Sequence, residues 1–314
     1  MSGTFHILSI DGGGFRGVYA AHILRRMEEE FHTDWSKSFD LMAGTSTGAI
    51  IAAGLACGVT ATDIANLYEK HGKQIFTRRR LCRLGLLGSR YRAQHLAKLI
   101  QEVIGEKTLG EIETPLILPA TDIGNGCVHV FKSAYDKEFL RDKNVLVRDA
   151  VLASCAAPTY FDPQTVDNKY LLADGGLWAN SPAFVAVIDA KRRLGQDIED
   201  LRVLSLGTGT ARRFYTQNVR GLSKLQGWGF ASRWGRGRFI DMLLNLQAQN
   251  ANNMLGLLLR PEQILRLNFE SDSHLPLDDP DEYLNLVSRA DRDFTHNAET
   301  IKAFLSGIPM GGSC

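Results

Sequence analysis

Short apolar runs alternate with amphipathic stretches along most of this 314-residue chain. Apolar runs that end in glycine are typical of buried strands, and apolar residues recurring every three or four positions indicate helices. The pattern predicts strands at 5–10, 39–43, 115–120, 128–131, 170–173 and 201–206. It predicts helices at 17–31, 49–53, 61–75, 94–104, 182–194, 239–258, 281–287 and 290–304.

The order of these elements predicts the fold class. Strands that alternate with helices indicate an α/β protein, here a three-layer α/β/α sandwich with a largely parallel central sheet. Loops that carry function are then expected at the carboxyl ends of the strands. No linker interrupts the pattern, so residues 1–314 are expected to form one domain.

Composition excludes several other classes of protein. Hydrophobic residues make up 44% and charged residues 23%, as in ordinary soluble domains. The most apolar stretch, 49–56, is far shorter than the roughly 20 residues that span a bilayer, and no secretory signal opens the chain. The five cysteines contain no C-x-x-C pair, which argues against a disulfide framework or a zinc site. We expect a cytoplasmic protein without a metal or cofactor.

Charge is unevenly distributed although its net value is only +1. The stretches 78–92 and 202–238 contain many arginines and no acidic residue. Such basic stretches favour an anionic partner. Solvated surface loops explain the same charges equally well.

A glycine-flanked serine is the strongest chemical feature of the sequence. Ser46 lies in Gly44-Thr45-Ser46-Thr47-Gly48, between an expected strand and an expected helix. A sharp turn at this place exposes the hydroxyl as a nucleophile, and the flanking glycines leave it accessible. The five-residue pattern also arises by chance, so its interpretation depends on the other motifs in the sequence.

A glycine cluster follows the first expected strand, in Asp11-Gly12-Gly13-Gly14-Phe15-Arg16-Gly17. Consecutive glycines before a helix direct backbone N–H groups toward an anion. The same letters match a dinucleotide fingerprint, but the acidic residue which that fingerprint requires about 20 residues later would fall inside a helix. An oxyanion hole that serves Ser46 is the better explanation.

A carboxylate follows another short strand, in Asp174-Gly175-Gly176. Read alone, Asp-Gly is a common turn. A hydrolase triad would need a later histidine, and only His274 and His296 follow. Both are expected to be surface or packing residues, which leaves Asp174 to act directly on Ser46 as a dyad.

These three motifs, in this order, resemble those of the patatin-like phospholipases. The resemblance covers most of the chain and includes Ala153 to Phe161, Asp174 to Pro182 and Leu204 to Gly209. It implies a patatin-like fold and catalysis without a histidine or a metal. It also implies that Ser46 is the nucleophile and Asp174 the general base. The implied oxyanion and supporting residues are Gly12, Gly13, Gly14, Arg16, Gly17, Gly44, Gly48, Gly175 and Gly176.

The resemblance also implies a substrate and a form of control. It indicates a phospholipase A type lipid acyl hydrolase that cleaves membrane phospholipids. The opening stretch 9–24 is similar to that of antiviral effectors that cyclic di- or trinucleotides activate and that degrade the host membrane. We therefore expect a nucleotide activator, action at the inner membrane, a candidate homo-oligomer on activation and no DNA or RNA partner. A constitutive lipid acyl hydrolase or transacylase, and a nucleotide-binding module without hydrolase activity, are the alternatives.

Aromatic and basic residues are interleaved within 221–239. They are Trp228, Phe230, Arg233, Trp234, Arg236, Arg238 and Phe239. Amphipathic aromatics with arginines suit an anionic bilayer surface, and the recurring glycines suit a moving segment. The stretch at about 210–240 is thus a candidate lid or membrane-contact segment, with core packing as the equal alternative.

Overall fold

A computed structural model describes residues 3–77, 88–212, 215, 234–272 and 275–306. The strands are β1 (Phe5–Ile10), β2 (Leu41–Gly44), β3 (Leu116–Asp122), β4 (Cys127–Lys132), β5 (Gln164–Val166), β6 (Tyr170–Asp174), β7 (Leu201–Leu206), β8 (Thr210–Ala211), β9 (Ile264–Leu267) and β10 (Glu270–Ser271). The helices are α1 (Gly17–Phe31), α2 (Trp35–Ser38), α3 (Thr47–Ala56), α4 (Ala61–Ile75), α5 (Ala93–Ile104), α6 (Val147–Ser154), α7 (Gly176–Ala179), α8 (Ala183–Arg193), α9 (Arg236–Leu258) and α10 (Tyr283–Leu305).

The central sheet is mixed and mostly parallel. Its strand order is β5-β6-β3-β2-β1-β7-β9, and β4 pairs with β3 in addition. The strands from β3 to β9 in this order run parallel, whereas β4, β5 and β6 join by antiparallel pairing. This arrangement confirms the α/β class with a largely parallel sheet.

Alternation along the strands produces two hydrophobic cores, one on each face of the sheet. Leu8 belongs to the larger core, which packs against α1, α3, α4 and α10. Its neighbour Ile7 faces the smaller core with Val187 of α8 and Leu255 of α9. Because successive strand side chains point to opposite faces, both faces require a helical layer. The three-layer sandwich follows from this requirement.

Strands β2 and β6 share one edge of β3. Ile117 of β3 pairs with Lys132 of β4 on one side and with Ala43 of β2 on the other. Three residues later, Ala120 still pairs with β4, but Asp174 of β6 has taken the place of β2. Since β2 is parallel to β3 and β6 is antiparallel, their carboxyl ends point toward each other. Asp174 therefore reaches the serine turn from an antiparallel strand.

Some elements differ from those predicted. The two helices expected at 281–287 and 290–304 form the single helix α10, because no glycine or proline separates them. Strands β5 and β9 and helices α2 and α6 were not predicted, since all are short. No helix within the described ranges is both long and apolar enough to cross a membrane.

Two arginines in the described parts of the basic stretches are paired with acidic residues of the C-terminal region. Arg90 forms an ion pair with Asp278 at 3.1 Å, and Arg212 forms one with Glu270 at 2.7 Å. These two arginines therefore hold the C-terminal region against the rest of the domain. Residues 78–87 lie outside the described residues.

Most of the candidate lid at 210–240 also lies outside the described residues, including Trp228, Phe230 and Arg233. At its C-terminal end, Trp234 packs edge to face on Phe239, with ring centroids 5.3 Å apart. Trp234 makes a similar contact with Tyr215 at 5.5 Å. These aromatics form a small, half-buried cluster where α9 begins.

Two helix glycines give a matched test of how closely α3 packs on β1. A Cβ on Gly48 of α3 would lie 2.2 Å from the Ile10 carbonyl oxygen, whereas one on Gly256 of α9 would meet nothing within 4 Å. We expect Gly48→Ala to lower the melting temperature sharply, because backbone cannot move aside. Gly256→Ala should raise the free energy of unfolding by about 0.5–1 kcal/mol through helix propensity. Thermal and urea unfolding measure both; a Gly48→Ala protein as stable as wild type would refute the close packing of α3 on β1.

Candidate active site

Ser46 occupies a strained turn between β2 and α3. Its φ of 55° and ψ of −122° place a non-glycine residue at positive φ, as a nucleophile elbow requires. The turn is tight, since a Cβ on Gly44 would lie 2.1 Å from the Gly48 carbonyl oxygen. Strain of this kind persists only where surrounding contacts hold the backbone in place.

Ser154 supplies one of those contacts. Its buried hydroxyl accepts a hydrogen bond from the Ser46 backbone N–H at 3.0 Å and donates one to the Pro119 carbonyl at 2.6 Å. Pro119 lies in β3 between the residues that pair with β2 and those that pair with β6. Ser154 thus ties the serine turn to the point where the two strands meet.

The glycine loop lies beside Ser46, but its three glycines are not equivalent. The Gly12 N–H donates to the Asn180 carbonyl at 2.9 Å. The Gly12 carbonyl accepts from the Thr208 hydroxyl at 2.7 Å and from the Asn180 side-chain amide at 3.3 Å. Since the N–H of Gly12 already donates to Asn180, it is not available to an oxyanion, contrary to the expectation for this glycine. Gly12 instead anchors the loop.

Gly13 and Gly14 keep their N–H groups available. Neither amide has a hydrogen-bond partner among the described residues, and both glycines line the same cavity as Ser46. Gly14 has φ +58, and a Cβ there would lie 2.3 Å from the Leu277 carbonyl oxygen, so the position requires glycine. These two N–H groups are the loop's candidate oxyanion donors.

Arg16, one of the expected supporting residues, does not line that cavity. Its Nε donates to the Gly13 carbonyl at 3.4 Å and its Nη1 to the Leu275 carbonyl at 3.3 Å. The side chain lines a separate polar cavity with Asp11 and Asp241. Burial lowers the pKa of Arg16, and Asp241 opposes that effect. Arg16 therefore holds the glycine loop from behind.

Asp174 ends β6 opposite the serine turn and is almost fully buried, with 1% of its surface exposed. Its Oδ1 accepts a hydrogen bond from the Gly176 N–H at 2.6 Å. Its Oδ2 has no partner in hydrogen-bond geometry among the described residues. Burial raises the pKa of Asp174 to about 7, while the Gly176 N–H and the nearby Ser46 hydroxyl act in the opposite direction.

One apolar cavity connects these groups. It is lined by Ser46, Asp174, Gly13 and Gly14. The rest of its wall is mainly hydrophobic. Residues of that wall include Ile50, Ile75, Phe76, Leu96, Phe161 and Leu277. Such a cavity places a reactive hydroxyl and a buried carboxylate beside a surface suited to a hydrocarbon chain.

The remaining supporting glycines are all at close approaches. A Cβ on Gly17 would lie 2.2 Å from the Thr47 hydroxyl oxygen, and one on Gly175 would lie 2.2 Å from the Pro119 carbonyl oxygen. A Cβ on Gly176 would lie 2.6 Å from Leu244 and 2.9 Å from Asp174 Oδ1. These glycines allow the elements around the cavity to approach one another.

Of the two histidines that follow Asp174, the one that the structure describes lies away from the cavity. His296 is exposed on α10 and does not line the cavity. His274 lies outside the described residues. The described ranges also contain no group of three or more His, Cys, Asp or Glu side chains placed to hold a metal ion.

Sequence reasoning missed four residues that shape the site. Ser154, Asn180 and Thr208 lie in stretches that were recognised only as part of the resemblance, without a role. Cys155 also lines the cavity, and its thiol lies near the Ser46 hydroxyl. Burial raises the pKa of Cys155 well above its ordinary value, so this thiol remains protonated. Only their tertiary contacts reveal these residues.

The raised pKa of Asp174 predicts a pH-dependent cost to stability. The folded protein binds a proton at this site up to about pH 7, whereas the unfolded chain releases it near 3.8. The stability that Asp174 contributes is therefore complete below pH 4 and is lost as pH rises toward 7, by up to about 4 kcal/mol. Asp174→Asn should melt at a higher temperature than wild type at pH 8, with a smaller difference at pH 5. Calorimetry at both pH values measures this, and a variant less stable than wild type at pH 8 would contradict it.

Comparison with known proteins agrees with this geometry. Residues 8–187 match the patatin-like phospholipase family. A cGAMP-activated phospholipase of Pseudomonas aeruginosa (strain BWHPSA011 / Pa011) is 34% identical over 258 residues, covering 80% of this chain and 74% of that protein. A cUMP-AMP-activated phospholipase of Escherichia coli is 29% identical over 272 residues, covering 83% and 80%.

A solved structure, VipD from Legionella pneumophila, aligns over 95% of this chain and 67% of its own, with 14% identity and a TM-score of 0.47. The family match covers more than half of the chain, and it includes the glycine loop, Ser46 and Asp174. The chain belongs to the patatin-like phospholipase family and is a lipid acyl hydrolase, a class of carboxylic ester hydrolase.

Proposed function

We propose that Ser46 and Asp174 form a catalytic dyad that cleaves fatty-acyl esters of membrane phospholipids. The observation that carries the proposal is their position: both line one apolar cavity, with the free N–H groups of Gly13 and Gly14. A nucleophile, a base, oxyanion donors and a hydrocarbon surface are the parts that acyl transfer from a lipid requires.

In the first step, the Ser46 hydroxyl oxygen attacks the ester carbonyl carbon while Asp174 accepts its proton. The unpartnered Oδ2 of Asp174 is the acceptor, because Oδ1 is held by Gly176. A carboxylate with a pKa of about 7 is well matched to this task at neutral pH. The ester C–O bond then breaks, and Asp174 returns the proton to the departing alcohol.

The negative charge on the tetrahedral intermediate falls beside Gly13 and Gly14. Their N–H groups are fixed before the reaction, so they stabilise the oxyanion without reorganising. Thr47, the first residue of α3, presents a third N–H at the positive end of the helix. In the second step, water attacks the acyl carbonyl carbon while Asp174 accepts its proton. The C–O bond to Ser46 then breaks, Asp174 returns the proton to the Ser46 oxygen, and the fatty acid leaves.

We also propose that a cyclic di- or trinucleotide activates the enzyme. Support comes from two similar phospholipases, one of which is cGAMP-activated and the other cUMP-AMP-activated. A cytoplasmic lipase that waits for such a signal fits an antiviral effector that attacks the inner membrane from its surface. A constitutive lipid acyl hydrolase is the alternative, and it differs in needing no nucleotide.

Loss of either member of the dyad should abolish hydrolysis. We expect Ser46→Ala and Asp174→Ala to release no fatty acid above background from phospholipid vesicles, because the nucleophile or its base is missing. His296→Ala is the matched control and should retain wild-type activity, since His296 is exposed on α10. The assay measures fatty-acid release with and without a panel of cyclic di- and trinucleotides.

The same assay separates the alternatives. Stimulation of wild type by one nucleotide supports the effector, whereas equal activity without any nucleotide supports a constitutive hydrolase. An Asp174→Ala protein that folds and keeps substantial activity would refute the dyad.

The pH profile should report Asp174 directly. Because the base acts as a carboxylate, kcat/KM for a soluble ester should fall tenfold per pH unit below about 7 and level off above it. Initial rates of the wild-type protein between pH 5 and 9 give the profile. An inflection near pH 4, the ordinary value for aspartate, would show that the buried carboxylate is not the titrating base.

A further inference from the structure

Two cavities adjoin the glycine loop and its neighbours. The apolar cavity contains Ser46, Asp174, Gly13 and Gly14. The polar cavity contains Thr208 and Asn180, neither of which lines the apolar one. The glycine loop is thus held by side chains that line the polar cavity and not the apolar one.

The contacts of Thr208 and Asn180 with the loop converge on one carbonyl. The Gly12 carbonyl oxygen accepts hydrogen bonds from Thr208 Oγ1 at 2.7 Å and from Asn180 Nδ2 at 3.3 Å. Asn180 holds Gly12 a second time, since its own carbonyl accepts the Gly12 N–H at 2.9 Å. Thr208 and Asn180 are both buried, with 4% and 5% of their surfaces exposed. The Gly12 peptide groups therefore have little freedom to rotate.

A fixed Gly12 carbonyl determines where the next N–H points. In a planar trans peptide, the C=O of one residue and the N–H of the next point in opposite directions. The Gly12 carbonyl points toward Thr208 and the polar cavity, so the Gly13 N–H points toward the apolar cavity. Arg16 completes the arrangement by holding the Gly13 carbonyl, which directs the Gly14 N–H in the same way.

We propose that Thr208 and Asn180 are positioning residues for the oxyanion hole, acting through the Gly12 carbonyl. The proposal rests on the proposed function, since it concerns the same catalytic serine. It assigns a role to Thr208 in the stretch 204–209 and to Asn180 in the stretch 174–182, two residues that do not belong to the dyad. Thr208 carries the larger part in holding the Gly12 carbonyl, because its hydrogen bond to that oxygen is shorter than that of Asn180.

The packing around the loop requires that the test conserve volume. A Cβ on Gly13 would lie 2.1 Å from Thr208 Oγ1, so Thr208 already fills the space behind the loop. Thr208→Val keeps that shape and removes only the donor. Thr208→Ser keeps the donor and removes a methyl group. Asn180→Asp keeps the shape of the side chain and replaces the donating Nδ2 by an acceptor.

Thr210 offers a matched control in the same cavity. Its hydroxyl accepts a hydrogen bond from Asn268 at 2.9 Å and does not contact the glycine loop. Thr210→Val therefore makes the same chemical change a short distance along the chain. A general disturbance of the polar cavity would affect both valine variants alike.

The experiment measures kcat and KM of the full chain with a soluble p-nitrophenyl acyl ester, together with melting temperatures. We expect Thr208→Val to lower kcat by about tenfold or more while KM changes by less than about twofold, because an oxyanion donor acts only in the transition state. Thr208→Ser should recover most of the rate, and Thr210→Val should behave as wild type. Asn180→Asp should lower kcat in the same manner.

The outcomes are separable from those of the proposed function. If wild type does not exceed Ser46→Ala with or without cyclic nucleotides, the proposed function fails, whatever Thr208 does. If wild type is active and Thr208→Val keeps its kcat, the positioning role is refuted. A parallel loss of kcat in Thr210→Val, or a failure of Thr208→Ser to recover activity, would also overturn it. If Thr208→Val does not fold, Asn180→Asp decides, since an unchanged kcat there refutes the role.

Discussion

The site depends on one feature of the sheet: two strands end toward each other along the same edge of β3. Strand β2 pairs with β3 up to Ile117, and β6 pairs with it from Ala120. Ser46 follows the end of one strand, and Asp174 is the end of the other. Only Leu118 and Pro119 separate the two registers, so the backbone places a hydroxyl beside a carboxylate without help from a long loop. The Pro119 carbonyl and Ser154 then hold the junction together.

Burial gives the carboxylate its chemical character. In water an aspartate is too weak a base to activate a serine well at neutral pH, and a histidine usually supplies that function. Here desolvation raises the pKa of Asp174 to about 7, in the range where a histidine titrates. The apolar wall that we propose receives a hydrocarbon chain is the same environment that raises this pKa. In this proposal, substrate binding and base strength have one physical cause.

The sequence predicted the main elements because their signals are local. The bounds of β1, α1, α4 and β7 agree with the apolar periodicity, and the turn at Ser46 follows from its flanking glycines. The antiparallel direction of β6 was not predictable, because a five-residue strand carries no information about its partner. Sequence alone likewise does not distinguish Gly12 from Gly13 and Gly14. The three glycines differ only through Asn180 and Thr208, which lie more than 160 positions away along the chain.

The central claim is that Ser46 carries the acyl group. Cys155 lines the same cavity and is the natural competitor, although its raised pKa keeps it a thiol. The most direct measurement is peptide mass spectrometry of the protein quenched with acid during turnover of a fatty-acyl ester. The account predicts an added acyl mass on the peptide that contains Ser46, absent in Ser46→Ala. An acyl group on the Cys155 peptide instead, persisting in Ser46→Ala, would contradict it.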